Sequence, residues 1–309
     1  MDIGASCYSM SDAGGEKRKS DSPVLVAALF AINVFWGASF VANTIALKSI
    51  GPIEIASLRF FIAAPLLLVI TYLWKGRDIF NFDKKDVGIF IIMALAGVTF
   101  QYVLQVSAQD YTTATNASLL INTSVFFIML LGAVFLREKL TWWKIVGAIV
   151  GFAGVTVLLG NFSFNLSGHA IGDLLIIASA FLWAVYSIYG KKVADKYHPL
   201  TVLNYVFIIG TIGLIPFYLL MPHSPVTSVP AVAWAAILFL SLFCSIFAYV
   251  IYNIALEKMD ASRVAVYIYF VPLSTIVLSM IVIHEGITTT TLGGGLMVLL
   301  GMYLAELKK

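Results

Sequence analysis

Ten apolar runs, each bounded by charge, proline or glycine, divide the chain at about 24–47, 52–74, 87–108, 112–136, 142–160, 172–190, 199–220, 231–256, 261–283 and 289–306. Each is roughly 18 to 25 residues, the length an α-helix needs to cross a bilayer's hydrocarbon core. The connections between them are short. The pattern predicts an all-α polytopic membrane protein with ten transmembrane helices. A small, polar stretch with Lys17, Arg18 and Lys19 precedes the first run. That run is too long for a cleaved signal and carries no small-x-small cleavage site, so it reads as a retained helix behind a disordered cytoplasmic tail, residues 1–23.

Particular residues recur inside these runs at one offset. Adding 147 takes Tyr102-Val103 to Tyr249-Val250, Ala108 to Ala255, Ala114 to Ala261, Glu138 to Glu285, Gly147 to Gly294 and Gly154 to Gly301. The same shift takes Trp36 to Trp183 and Pro52 to Pro199. One offset linking Trp, Pro, Glu and Gly positions predicts two copies of a five-helix unit, residues 24–160 and 171–309. Five is odd, so the second copy enters the membrane from the opposite side. Inverted repeats of this kind place a substrate site near mid-bilayer between the halves; the bland alternative is an old duplication kept only as a stable bundle.

Composition agrees with a lipid environment: 61% hydrophobic and 11% charged residues leave too little polar surface for a water-soluble globule of 309 residues. The net charge of +3 points to no nucleic-acid partner. What matters is where the basic residues fall. With a cytoplasmic tail, 17 of the 19 Lys and Arg residues lie on the cytoplasmic side, leaving only Lys48 opposite and Arg59 within a span. That asymmetry predicts an even number of spans in the cell membrane, with both termini cytoplasmic.

Polar side chains deep in apolar helices are costly and turn to the bundle interior or to water. On the third run Gln101 and Gln105 share a face with Tyr102 close by; the fourth offers Asn116 and Asn122, and the eighth Tyr249, Tyr252 and Asn253. Repeat twins sharpen the set: Gln105 with Tyr252, Asn122 with Tyr269, Tyr102 with Tyr249, and the mid-span pair Trp36 and Trp183. These eleven residues are the candidate substrate cavity. Any single amide can instead bond a neighbouring helix, and Trp74, Trp142, Trp143 and Trp234 near span ends read as interface anchors. Arg59 can pair with Glu54, snorkel, or hold a substrate carboxylate.

Other chemistry is weakly represented. Gly147, Gly151 and Gly154, with Gly293, Gly294, Gly295 and Gly301, permit close helix approach within the bundle or at a dimer seam. They form no phosphate loop. Neither the two cysteines nor the four histidines have metal-ligand spacing, so no metal and no cofactor are expected. No nucleophile–base pair or paired acids suggests an enzyme.

Trp36-Gly37-Ala38-Ser39, Pro52 with Ser57-Leu58-Arg59-Phe60, and Leu136-Arg137-Glu138-Lys139-Leu140-Thr141 ahead of Gly147 and Gly154 resemble the signatures of EamA-type transporters of the drug/metabolite transporter superfamily. The second copy repeats the pattern with Ala255, Ala261, Pro272, Glu285 and Gly294; Val125 stands where Pro272 does, so the fourth helix is expected to bend less than the ninth. The resemblance implies ten helices, a central cavity, and export or exchange of small metabolites; a monomer or homodimer is expected. Amides, hydroxyls and rings suit an amino acid or amphipathic solute. With no carboxylate near mid-bilayer, exchange or facilitated diffusion is expected over ion coupling. A proton-coupled multidrug exporter and a non-transporting receptor or scaffold are the alternatives.

Overall fold

The computed structural model describes residues 23–158, 168–222, 229–284 and 289–306. The expected tail and Glu285 lie outside the described residues. Helices form wherever the apolar pattern places them: α1 Pro23–Leu47, α2 Pro52–Lys75, α3 Lys84–Ala108, α4 Ala114–Phe135, α5 Trp142–Leu158, α6 Ala170–Ala194, α7 Pro199–Leu220, α8 Ala231–Lys258, α9 Ala261–Val282 and α10 Thr289–Glu306. Eight of these are long and apolar enough to cross a membrane; α5 and α10 carry shorter apolar stretches. Among the described residues there is no strand. Leu73, Leu220, Trp142 and Leu296 point outward, each at least 69% exposed, an outer surface suited to lipid rather than water.

Local chemistry sets the helix boundaries. Pro52 and Pro199 start α2 and α7, where a missing N–H costs nothing and a fixed φ is already helical. At the other end of the unit, α4 closes on Arg137 with φ 56°, and α9 on His284 with φ 55°. Left-handed non-glycine residues are unusual. Here the reversal folds the chain back, so that Glu138 N–H reaches Gly132 O at 3.2 Å.

Both α4 and α9 are broken midway, α4 at Ile121–Asn122 and α9 by a single 3-10 turn at Tyr267–Tyr269. The break in α4 forms although Val125 stands where α9 has Pro272. Side chains do the work of the missing proline: Asn122 Nδ2 donates to Ser118 O at 3.1 Å and Thr123 Oγ1 to Leu120 O at 2.8 Å. The backbone tightens to i→i−3 bonds at Asn122, Ser124 and Val125. Hydroxyls and amides competing for helix carbonyls are a recognised source of bends.

Helices α3 and α8 each contain a π segment, Leu95–Thr99 and Leu240–Phe247. A wider turn leaves carbonyls without their usual α-helical donor. Each π segment takes a side-chain donor from the other half of the chain: Tyr249 Oη donates to Gly97 O at 2.6 Å, and Trp36 Nε1 to Cys244 O at 3.1 Å. Helices α5 and α10 pack backbone to backbone, since a Cβ on Gly147 would stand 2.5 Å from Ala305 N and Gly301 O. Gly147, Gly151 and Gly301 therefore belong to a seam within the chain, while a Cβ on Gly293 or Gly295 would meet nothing within 4 Å.

Candidate functional site

Polar groups collect around one cavity midway along the bundle. The space it encloses, counted out to where it opens to solvent, is about 440 Å³. Trp36, Ser39 and Phe40 line it from α1, Gln101, Tyr102 and Gln105 from α3, Ile121 and Ser124 from α4, Trp183 from α6, and Ile268 and Val271 from α9. The lining carries no formal charge. The register change at Leu95–Thr99 immediately precedes the polar face of α3, and the breaks in α4 and α9 bring Ile121, Ser124 and Ile268 to the wall.

The inner wall is aromatic. The twin indoles Trp36 and Trp183 meet edge to face at 5.3 Å and 82°. Tyr252 packs on both, at 5.4 Å and 4.9 Å, while Tyr186 stacks on Trp183 at 5.1 Å. Such edge-to-face contacts follow from ring quadrupoles and hold the rings at fixed angles. The polar ends are tied down as well. Ser187 Oγ donates to Trp183 O and lies 2.7 Å from Tyr252 Oη, and Asn253 Nδ2 donates to Tyr186 Oη at 2.5 Å and to Tyr249 O at 2.9 Å. On α3, Gln101 Nε2 donates to Gln105 Oε1 at 2.6 Å, leaving Gln101 Oε1 buried without a partner.

Of the residues singled out from sequence, Trp36, Gln101, Tyr102, Gln105 and Trp183 line the cavity. Tyr249 and Tyr252 stand behind the indoles, and Asn253 is spent on the tyrosines behind them. Asn122 is buried at the α4 break, bonded back to its own helix. Tyr269 lies against Gly151 of α5, whose Cβ would meet its ring at 2.9 Å. Asn116 sits in the first turn of α4, its N–H taken by Thr113 Oγ1 at 3.2 Å, away from the cavity. Arg59 neither snorkels nor lines the wall: it is 1% exposed, with Tyr102 between it and the cavity lining. Ser39, Phe40, Ile121, Ser124, Ile268 and Val271 are lining residues that sequence reasoning did not single out. Only Ser39, inside the Trp36-Gly37-Ala38-Ser39 motif, carried a signal that could have found it.

At one end of the bundle polar contacts tie the two halves together. Glu138 accepts from the N–H groups of Ala261 and Ser262, at 2.7 and 3.1 Å, at the start of α9. A carboxylate there meets both unsatisfied donors and the positive helix end. Lys144 Nζ donates to Ser262 Oγ at 3.0 Å and lies 3.8 Å from Asp260. At the same end Asp86 accepts from Lys196 and from Tyr197 Oη, contacts that raise the Lys196 ammonium pKa above its usual value. Because the folded pKa is raised, this contribution is present below the ordinary lysine pKa and lost only as pH climbs through the raised one. Removing the carboxylate in Glu138→Ala should weaken this tie by about 1–2 kcal/mol. In a Cys7→Ser background, alkylation of a cysteine placed at Ala265 should then speed up roughly tenfold; an unchanged rate would mean that Glu138 does not hold this end shut.

The model of the EamA-like transporter family matches residues 24–160 and again 170–307. An uncharacterized transporter of Archaeoglobus fulgidus is 40% identical over 279 residues, covering 89% of this chain and 95% of that protein. A probable terminal-alkyne amino-acid exporter of Streptantibioticus cattleyicolor is 26% identical over 282 residues, covering 90% of this chain and 92% of that one. A crystal structure at 19% identity superposes with a TM-score of 0.75 over 93% of this chain and 98% of its own, a likeness of fold.

Proposed function

The chain belongs to the EamA-like transporter family, and from that premise we propose that it exchanges or exports small amphipathic solutes, most simply amino acids with apolar side chains. It is a multi-pass membrane transporter of the EamA type. The proposed architecture is ten crossings in two inverted five-helix repeats, 24–160 and 171–309, with both termini cytoplasmic. Twin features at the 147 offset support it: Trp36 against Trp183, Tyr102 Oη 3.1 Å from Tyr249 Oη, and the left-handed pair Arg137 and His284.

The observation that carries the functional reading is an uncharged cavity lined from both halves, with two amides and two indoles in its wall. Indoles take an apolar side chain and amides orient the polar end of a solute. The end tied by Glu138 and Lys144 bears most of the basic residues and is the cytoplasmic one in this topology. Transport then alternates closure of this end with closure of the opposite end around a fixed site. The name of the Streptantibioticus relative, an amino-acid exporter, supports the solute class.

Counterflow in proteoliposomes, with labelled amino acids and no ion gradient, tests the reading. Accelerated exchange of one or more amino acids is the expected result. Uptake only under a pH gradient would replace exchange by proton coupling, and saturable binding without flux would replace transport by a receptor role. With an exchanged solute in hand, Gln105→Ala should raise its KM about 5- to 10-fold, by loss of one or two buried hydrogen bonds, while Asn116→Ala leaves it unchanged. Equal effects of the two would remove α3 from the site.

A further inference from the structure

Arg59 is a charged side chain packed against Tyr102 of the cavity lining, and its surroundings leave it incomplete. It lies seven residues into α2, about 10 Å from the helix start, with 1% of its surface exposed. A cation at membrane depth is costly unless it is paired, and such residues mark substrate or ion pathways. Nε donates to Ser245 Oγ at 2.5 Å, a hydroxyl whose own proton goes to Leu240 O. The guanidinium carbon sits 4.3 Å from the centre of the Tyr102 ring and 5.6 Å from that of Phe60. Neither ring nor hydroxyl carries negative charge. Arg59 Nη2 is buried with no hydrogen-bond partner, and Arg59 forms no ion pair among the described residues.

We infer that Arg59 is the receptor for a carboxylate on the transported solute, covered by the ring of Tyr102 until the solute arrives; this rests on the transport reading above. Tyr102 lines the cavity, so its ring is what separates guanidinium from solute. A turn of that ring trades a cation–π contact for a charge-assisted pair, the stronger of the two in a dry site. Two lining residues also have unmet polar atoms, Gln101 Oε1 and Ser124 Oγ, and the first is an acceptor that suits a solute N–H. One planar guanidinium with no second cation on the wall favours a monoanionic carboxylate over a phosphate dianion, whose remaining charge would stay unpaired. The site therefore selects solutes carrying both a carboxylate and an amino group, and rejects the corresponding amines and amides.

The test is counterflow by the full-length protein in proteoliposomes, using phenylalanine, leucine and methionine, each beside its amide. The wild-type protein should prefer the acid roughly 10- to 100-fold in kcat/KM, the effect of a charge-assisted bond in a buried site. Arg59→Gln should abolish that preference by losing the acid alone, and Arg59→Lys should restore part of it. Equal losses for acid and amide in Arg59→Gln would make the residue structural and overturn the inference, as would a wild-type protein that does not distinguish acid from amide; both leave transport itself standing. Absence of flux for all six compounds in wild-type protein would defeat the amino-acid transport reading, and this inference with it. If Arg59→Gln does not fold, Ser245→Ala provides the second reading: loss of the Nε anchor should reduce the preference severalfold, and an unchanged ratio would overturn the proposal.

Discussion

A single methyl group added at Gly301 will unfold or loosen the transporter. In Gly301→Ala the new Cβ would stand 2.4 Å from Gly151 N, 2.6 Å from Gly147 O and 2.6 Å from Gly151 Cα. All three are backbone atoms of α5, so no rotamer change makes room, and the two helices have to separate. Overpacking costs about 1–3 kcal/mol where side chains can yield, and occasionally more. A contact with rigid backbone belongs at or above the top of that range. In detergent, thermal melting followed by tryptophan fluorescence should fall by roughly 6–10 °C or more. Gly293→Ala is the matched control: a Cβ there meets nothing within 4 Å, and the change should stay within about 1 kcal/mol of wild type. If the two variants melt together, the α5–α10 seam is wider than these distances require.

The largest functional effect is expected at Trp36. Its indole forms part of the cavity wall, packs edge-on against Trp183, and donates to the Cys244 carbonyl inside the π segment of α8. Trp36→Ala removes a wall, a ring contact and that donor together. Losses of about 1 kcal/mol for the ring contact and about 1–3 kcal/mol for a stranded buried carbonyl correspond to roughly 30- to 1000-fold in transport. Trp36→Phe keeps a ring without the N–H and should fall between. The discriminating reading is KM for an exchanged solute against melting temperature for each variant. An unchanged KM with lowered stability would make Trp36 a packing residue and move the site elsewhere.

Much of this molecule is legible in its hydrophobic pattern because a helix in lipid satisfies its backbone internally, so apolar length alone marks the element. The offset of 147 did more. It picks out Trp36 and Trp183 from sequence, and the two rings do meet in the cavity wall. The same offset misleads at Asn122 and Tyr269, which are twins in sequence but face their own helix and α5. Polarity is a poor guide at Tyr252 and Asn253 for a related reason: a buried polar group needs partners wherever it lies, and these found them behind the wall. The lining hydroxyl of Ser124 is hard to find because serine is common in membrane helices, and no motif marks this one. The π segments leave no local signal, since the wider turn is compensated by side chains more than a hundred residues away.

That compensation bears on how the protein is made. While α1–α5 are threaded into the bilayer, the Gly97 carbonyl awaits a hydroxyl from Tyr249, which the ribosome has not yet added; once α8 follows, its Cys244 carbonyl can be met at once by Trp36, already in place. The earlier half thus passes through a stage without this bond, while the later half can make its own on arrival. Quality control will bear hardest on truncated chains and slow translation between the two, and the halves produced as separate polypeptides should survive only when made together.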